Sequence, residues 1–121
     1  MRVLVCGGRD FNDWNLLNDK LYWVLFEIGH GAKDTTIISG AARGADSLAI
    51  RFAHEYGTKL VSFPADWTAH GKAAGPIRNQ QMIDDGKPDL VVAFPGGTGT
   101  ADMVRRAKKH NIQVIEVQDE R

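Results

Sequence analysis

Short apolar runs alternate with helical stripes along the whole chain. Val3-Leu4-Val5-Cys6 is apolar without polar alternation and stops at Gly7-Gly8, the pattern of a strand buried on both faces of a parallel sheet. Trp14, Leu17, Leu21, Val24, Leu25 and Ile28 then recur on one helical face. Asn12 or Asp13 is placed to cap that helix, and Gly29 and Gly31 to close it in left-handed positions. The unit repeats. Thr35-Thr36-Ile37-Ile38 reads as a second strand, followed by a helix carrying Ala45, Leu48, Ala49, Phe52, Ala53 and Tyr56 and ended by Gly57. Lys59 to Phe63 reads as the third strand. A polar connection from Pro64 to Gly75 follows, irregular from Asp66 onward, then a short helix from about Pro76 that Gly86 ends. Asp89 to Phe94 is the fourth strand, a helix after Thr100 carries Met103, Val104 and Ala107, and Ile112 to Val117 is the fifth.

Strands alternating with helices predict βαβ units with right-handed crossovers. The expected fold is α/β: a Rossmann-like three-layer domain with a five-stranded parallel sheet in the order 3-2-1-4-5. The chain has 121 residues with no linker, low-complexity tract or repeat, so residues 1–121 are expected to form one domain. Hydrophobic residues at 43% and charged residues at 25% exclude a disordered chain. Lys plus Arg and Asp plus Glu are 15 each. This balance lacks the electrostatic footprint of a dedicated nucleic-acid binder, although a local basic patch is compatible with it. Cys6 is the single cysteine, so no internal disulfide is possible and a reducing cytoplasm is the expected compartment. Histidine and cysteine never fall at metal-ligand spacing, and neither a metal nor a cofactor is assigned. No apolar run approaches the roughly 20 residues of a membrane span.

The placement of the thirteen glycines carries the chemistry. Gly29, Gly31, Gly57 and Gly86 follow predicted helices, where capping accounts for them. Gly7, Gly8, Gly40, Gly44, Gly71, Gly75, Gly96, Gly97 and Gly99 follow strands and precede helices. In an open α/β sheet those loops share the carboxyl edge of the strands, where ligands bind. Loops of this kind turn main-chain N–H groups toward a ligand, and the helix N-termini add partial positive charge, so the edge is a cradle for phosphate or carboxylate. Pro95-Gly96-Gly97-Thr98-Gly99-Thr100 is the strongest instance, with two threonine hydroxyls among the amides.

Ser39-Gly40-Ala41-Ala42-Arg43-Gly44-Ala45-Asp46 follows the second strand. Ser39 can donate to a phosphate and Arg43 can pair with one bidentately. Asp46 either binds a ribose hydroxyl or caps the second helix. Arg9, beside the Gly7-Gly8 pair, is either a ligand contact or a solvated cation. Trp67 either stacks on a purine or covers the sheet edge, and His70 reads as a surface histidine. Arg78, beside Asn79, falls in the first turn of its predicted helix, where the dipole disfavours a cation. A residue set against local preference points to an anion contact.

Gly7-Gly8-Arg9, the Ser39–Asp46 segment, Arg78-Asn79 and the Pro95–Thr100 segment together resemble the SLOG superfamily, which includes the DNA-processing protein DprA (Smf) and the LOG-type proteins. The resemblance covers essentially the whole chain. It is most similar to the small YspA-like branch of bacteria and phages, through Phe63-Pro64-Ala65-Asp66-Trp67, Gly75-Pro76-Ile77-Arg78-Asn79 and the Pro95 segment. It implies a Rossmann-like sheet that binds nucleotides or their derivatives. The ligand-binding set is then Gly7, Gly8, Arg9, Ser39, Gly40, Arg43, Gly44, Asp46, Trp67, Arg78, Asn79 and Gly96 to Thr100. LOG enzymes cleave the N-glycosidic bond of a nucleoside monophosphate and carry Pro-Gly-Gly-x-Gly-Thr-x-x-Glu with an arginine on an earlier helix. Arg78 matches that arginine, but the glutamate position is Met103 and the nearest carboxylate is Asp102. One residue along a helix is about 100° of rotation. Arg78 and Asp102 are thus the catalytic candidates of a hydrolase reading, while Met103 is expected to face the core.

Three functions follow from these residues. The first is binding or sensing of a nucleotide-derived ligand without turnover, which tolerates the missing glutamate. The second is phosphoribohydrolase activity, with Asp102, Asp10 or Asp46 as the acid. The third, single-stranded DNA binding of the DprA kind, is opposed by the neutral charge. A homodimer is expected through the aromatic excess of the first helix (Trp14, Tyr22, Trp23 and Phe26).

Overall fold

Val3, Leu4 and Val5 are fully buried because β1 (Arg2–Cys6) lies at the centre of the sheet. The computed structural model describes residues 1–118, so positions 119–121 of the expected domain lie outside the described residues. β1 pairs in parallel with β2 (Thr36–Ser39) on one side and β4 (Leu90–Ala93) on the other, Val3 lying opposite Ile37 and Leu90. β3 (Lys59–Ser62) and β5 (Gln113–Glu116) form the edges, giving the order 3-2-1-4-5. The chain has the Rossmann-like α/β fold its sequence predicts.

Side chains alternate across the pleat, and the layers follow from that. Val3 and Val5 pack with Leu17 and Leu21 of α1 (Trp14–Trp23) and Phe52 of α2 (Ala45–Tyr56). Leu4 and Cys6 face the other way, into a second core. It contains Met82 of α4 (Ala74–Asp84) and Met103 of α5 (Thr98–Lys109). Met103 is fully buried, as expected.

Asp13, one of the two residues placed to cap α1, does so, accepting from the Leu16 N–H at 3.1 Å. Several other local expectations are corrected. The helix then widens into a π-turn, Val24–Ile28, in which Gly29 N–H donates to Val24 O. The changed phase turns Ile28 out to 45% exposure. Gly29 has an ordinary φ of −89°, and only Gly31, at 92°, is left-handed. The Pro64–Gly75 connection is mostly helical: Asp66 caps α3 (Trp67–His70), and a 3-10 turn, Gly71–Ala73, runs into α4. α4 and α5 both begin about two residues before their expected starts.

β1, β2 and β3 step toward one edge of the sheet, and β4 and β5 toward the other. The carboxyl ends of β1 and β4 are therefore the topological switch point, where the loops diverge and leave a crevice.

Candidate functional site

The crevice is made by two loops in direct contact. Gly8 N–H donates to Pro95 O at 2.9 Å, and Phe94 N–H to Cys6 O at 2.9 Å. A Cβ on Gly8 would stand 3.1 Å from Gly96 Cα, and one on Gly96 would overlap Thr100 Oγ1 and lie 2.6 Å from Gly8 N. Close backbone approach thus explains these two glycines. Gly97 and Gly99 differ, because a Cβ on either would meet nothing within 4 Å. Gly97 is the N-cap of α5 and supplies no capping side chain. The first-turn N–H groups of a helix have no acceptor within it, so those of Thr98, Gly99 and Thr100, all residues of the crevice lining, are left for a ligand or solvent beside two open glycines.

The resulting cleft has a volume of about 970 Å³, at the upper end of the range for small-molecule sites. Arg9, Lys72, Arg78 and Arg105 bring positive charge to its walls, and Asp10, Asp46 and Asp102 negative charge. Of the expected residues, Gly7, Gly8, Arg9, Asp46, Trp67, Arg78, Asn79, Gly96 to Thr100 and Asp102 line it.

Four expected residues do not line the cleft. Ser39 is fully buried, its hydroxyl donating to Asp46 O at 3.1 Å and accepting from Ala41 N–H. The Gly40 carbonyl receives Arg78 Nη1 at 2.6 Å. Gly44 (φ 79°) is pressed against Gly8 O. Arg43 points outward, 74% exposed, and pairs with Asp10 at 3.5 Å.

Arg78 is the fifth residue of α4, beyond the first turn, so a conflict with the helix dipole is not what marks it. Its Nε donates to Asn79 Oδ1 at 3.2 Å. Burial lowers the guanidinium pKa, and the nearby Asp46 charge works against that. Asp46 itself is buried beside the cleft, with Oδ2 accepting from Ala42 N–H at 3.2 Å. Burial pushes its carboxyl up, against the Ala42 hydrogen bond and the charges of Arg78 and Arg9. Arg9 lies over Trp67, its Cζ 5.1 Å from the ring centre.

Asp102 has both oxygens occupied. Oδ1 receives Arg105 at 2.7 Å, while Oδ2 receives Arg106 at 2.8 Å and Asn79 Nδ2 at 3.0 Å. Burial raises its pKa, but the Arg106 and Asn79 hydrogen bonds and the two arginine charges outweigh that and hold it below the usual carboxylate range. A carboxylate so fastened stays ionised and is poorly suited to donating a proton. Cys6 lines the cleft floor, its thiol pushed by burial to about 12, too high for an effective nucleophile.

Lys72 and Arg105 are cleft cations that the sequence reading missed. Arg105 had a signal, since it stands seven residues after Thr98 and therefore on the same helical face. Lys72 had none, because its position depends on α3 folding the connection back over the crevice.

A switch-point crevice with a glycine-rich helix start and an arginine from the facing helix defines a SLOG-type Rossmann domain. The chain belongs to the YspA, cpYpsA-related SLOG family, whose sequence profile matches residues 1–70. It is 36% identical to the Gene 61 protein of Mycobacterium phage D29, over 98% of this chain and 97% of that one. Its fold is similar to that of DNA processing protein A (DprA) from Streptococcus pneumoniae, with a TM-score of 0.78 at 16% identity over 98% of this chain. The chain spans 50% of that protein's length. Among the described residues no helix is long and apolar enough to cross a membrane.

Proposed function

We propose that residues 1–121 form one domain that binds a nucleotide or nucleotide-derived ligand, with a phosphate seated on the first turn of α5 and Arg78 as a cation of the site. The observation that carries this reading is the pair Gly97 and Gly99, open on their Cβ side at an uncapped helix start inside a cation-lined cleft. Gly99→Ala tests it. Alanine favours a helix over glycine by about 0.5–1 kcal/mol, so the variant is expected to be at least as stable as the parent. Its methyl group would occupy the space in which the phosphate approaches the amides. A panel of nucleoside mono- and diphosphates should raise the melting temperature of the parent and not of Gly99→Ala. An equal shift in both would sink the phosphate assignment.

Binding without turnover is favoured over LOG-like hydrolysis because Met103 is in the core and Asp102 is held by two arginines. The same incubations, assayed for free base, should release none. Single-stranded DNA binding is disfavoured because the cleft cations are interleaved with three aspartates rather than forming a continuous stripe. Salt-sensitive retention on single-stranded DNA would reverse that order.

Tyr22, Trp23, Phe26 and Ile28 are each close to half exposed around the π-turn, which supports a homodimer through this face. Trp14, grouped with them by sequence, is instead covered by Arg51, whose Cζ lies 3.9 Å from the ring centre. A monomeric mass in solution at working concentration would exclude the dimer. A cytoplasmic location fits the lone, buried Cys6.

A further inference from the structure

Of the three carboxylates on the cleft wall, one is committed to protein donors and one is solvated. Asp102 has both oxygens bonded, and Asp10 is 96% exposed and pairs with Arg43. Asp46 is different. It is 7% exposed and forms no ion pair among the described residues, and only its Oδ2 has a protein donor, the Ala42 N–H. Oδ1 has no protein partner among the described residues, and it is not sealed from solvent. Asp46 lines the cleft, so its one oxygen without a protein donor belongs to a residue of the cleft wall.

Bracing Ala42 N–H needs only an acceptor, which the amide of asparagine would supply without the cost of burying a charge. An ionised carboxylate only accepts hydrogen bonds. It repels phosphate, so in an anion-binding cleft its counterpart on the ligand is a hydroxyl or amine donor. Asp46 and Arg78 converge on Gly40, where an added Cβ would lie 2.8 Å from both Asp46 Oδ2 and Arg78 Cζ. An acceptor beside a cation matches a sugar hydroxyl close to a phosphate.

We infer that Asp46 receives a hydroxyl of a ribose cis-diol, so that the cleft selects ribonucleotides over their deoxy counterparts. This rests on the nucleotide-binding reading above and narrows it to one class of ligand.

The test measures affinities of the full chain for ribonucleoside monophosphates of the four bases, for their 2′-deoxy and 3′-deoxy counterparts, and for the hypoxanthine nucleotide against the adenine one. Losing a hydrogen bond to a carboxylate should weaken binding about tenfold or more for at least one deoxy series. Asp46→Asn should reduce that discrimination to about twofold. Discrimination of twofold or less in the parent, discrimination unchanged in Asp46→Asn, or an effect that follows the base amine instead of the sugar hydroxyl would each overturn the inference and leave nucleotide binding standing. Absence of nucleotide binding in the parent would instead overturn the underlying reading.

Ligand-free stability supplies a second readout. Burial raises the folded-state pKa of Asp46, and Arg78 on α4, Arg9 after β1 and the Ala42 N–H are the groups that face it and oppose the rise. A raised carboxyl favours the fold below its unfolded pKa, and that contribution is lost as pH rises through the folded value. Asp46→Asn is therefore expected to melt higher than the parent at pH 8, with the advantage shrinking in acid. A variant that melts lower at pH 8 would show the carboxylate to be a structural anchor, against the inference.

Discussion

Gly44→Ala will cost the fold roughly 3 kcal/mol or more, read as a fall in melting temperature on the order of 12 °C. Two effects add at this position. The backbone there, at φ 79° and ψ −130°, is almost confined to glycine. The new Cβ would also overlap Gly8 O and stand 2.6 Å from the Arg9 carbonyl carbon. Gly8 O is the acceptor for the Ala45 N–H that opens α2, so relief of the overlap parts the β1 loop from the helix. Gly71→Ala separates the two effects. Gly71 has nearly the same angles, φ 55° and ψ −133°, with nothing within 4 Å of an added Cβ. It should lose only the conformational part, about 1 kcal/mol. Equal losses at the two positions, measured by denaturant or thermal unfolding, would show that the β1–α2 contact contributes little.

That contrast also marks how much the sequence could say. A glycine after a strand signals a special backbone position, but not whether a ligand or another loop requires it. Gly44 and Gly96 answer to neighbouring backbone, and Gly97 and Gly99 do not. The sheet was legible because β1 and β4 are buried on both faces and read as uninterrupted apolar runs. Ile28 was misplaced because a π-turn changes the helical phase by an amount no periodicity reveals. In the site, the Pro95–Thr100 segment announced itself by composition. Ser39 and Arg43 did not behave as expected, because their orientation depends on partners distant from the ligand edge: the Asp46 carbonyl inside α2 and Asp10 on another loop. A serine or an arginine looks the same in sequence whether it faces a ligand or turns away.

Asp102→Asn should destabilise the protein at neutral pH by about 2 kcal/mol. Removing one member of a buried pair costs about 3–5 kcal/mol, and the figure is reduced here because Arg105 is 71% and Arg106 30% exposed. The variant leaves Arg105, Arg106 and the Asn79 amide sharing one neutral acceptor where a carboxylate served all three. Asn79 Nδ2 also donates to Gly99 O at 3.2 Å, and its Oδ1 receives Arg78 Nε. The loss therefore reaches the start of α5 and the cleft arginine together. The pH dependence has a definite sign. The folded-state pKa of Asp102 is depressed, so its contribution is fully present above the unfolded value near 4 and disappears as pH falls through the folded one. Parent and variant should differ most from neutral pH upward and converge in acid, which is the reverse sign of the Asp46→Asn profile. If the carboxyl were instead a proton donor poised for catalysis, its pKa would lie above the usual range. The parent would then gain stability relative to Asp102→Asn on acidification. Unfolding curves of both proteins between pH 3 and pH 8 distinguish a strut from an acid without any knowledge of the ligand.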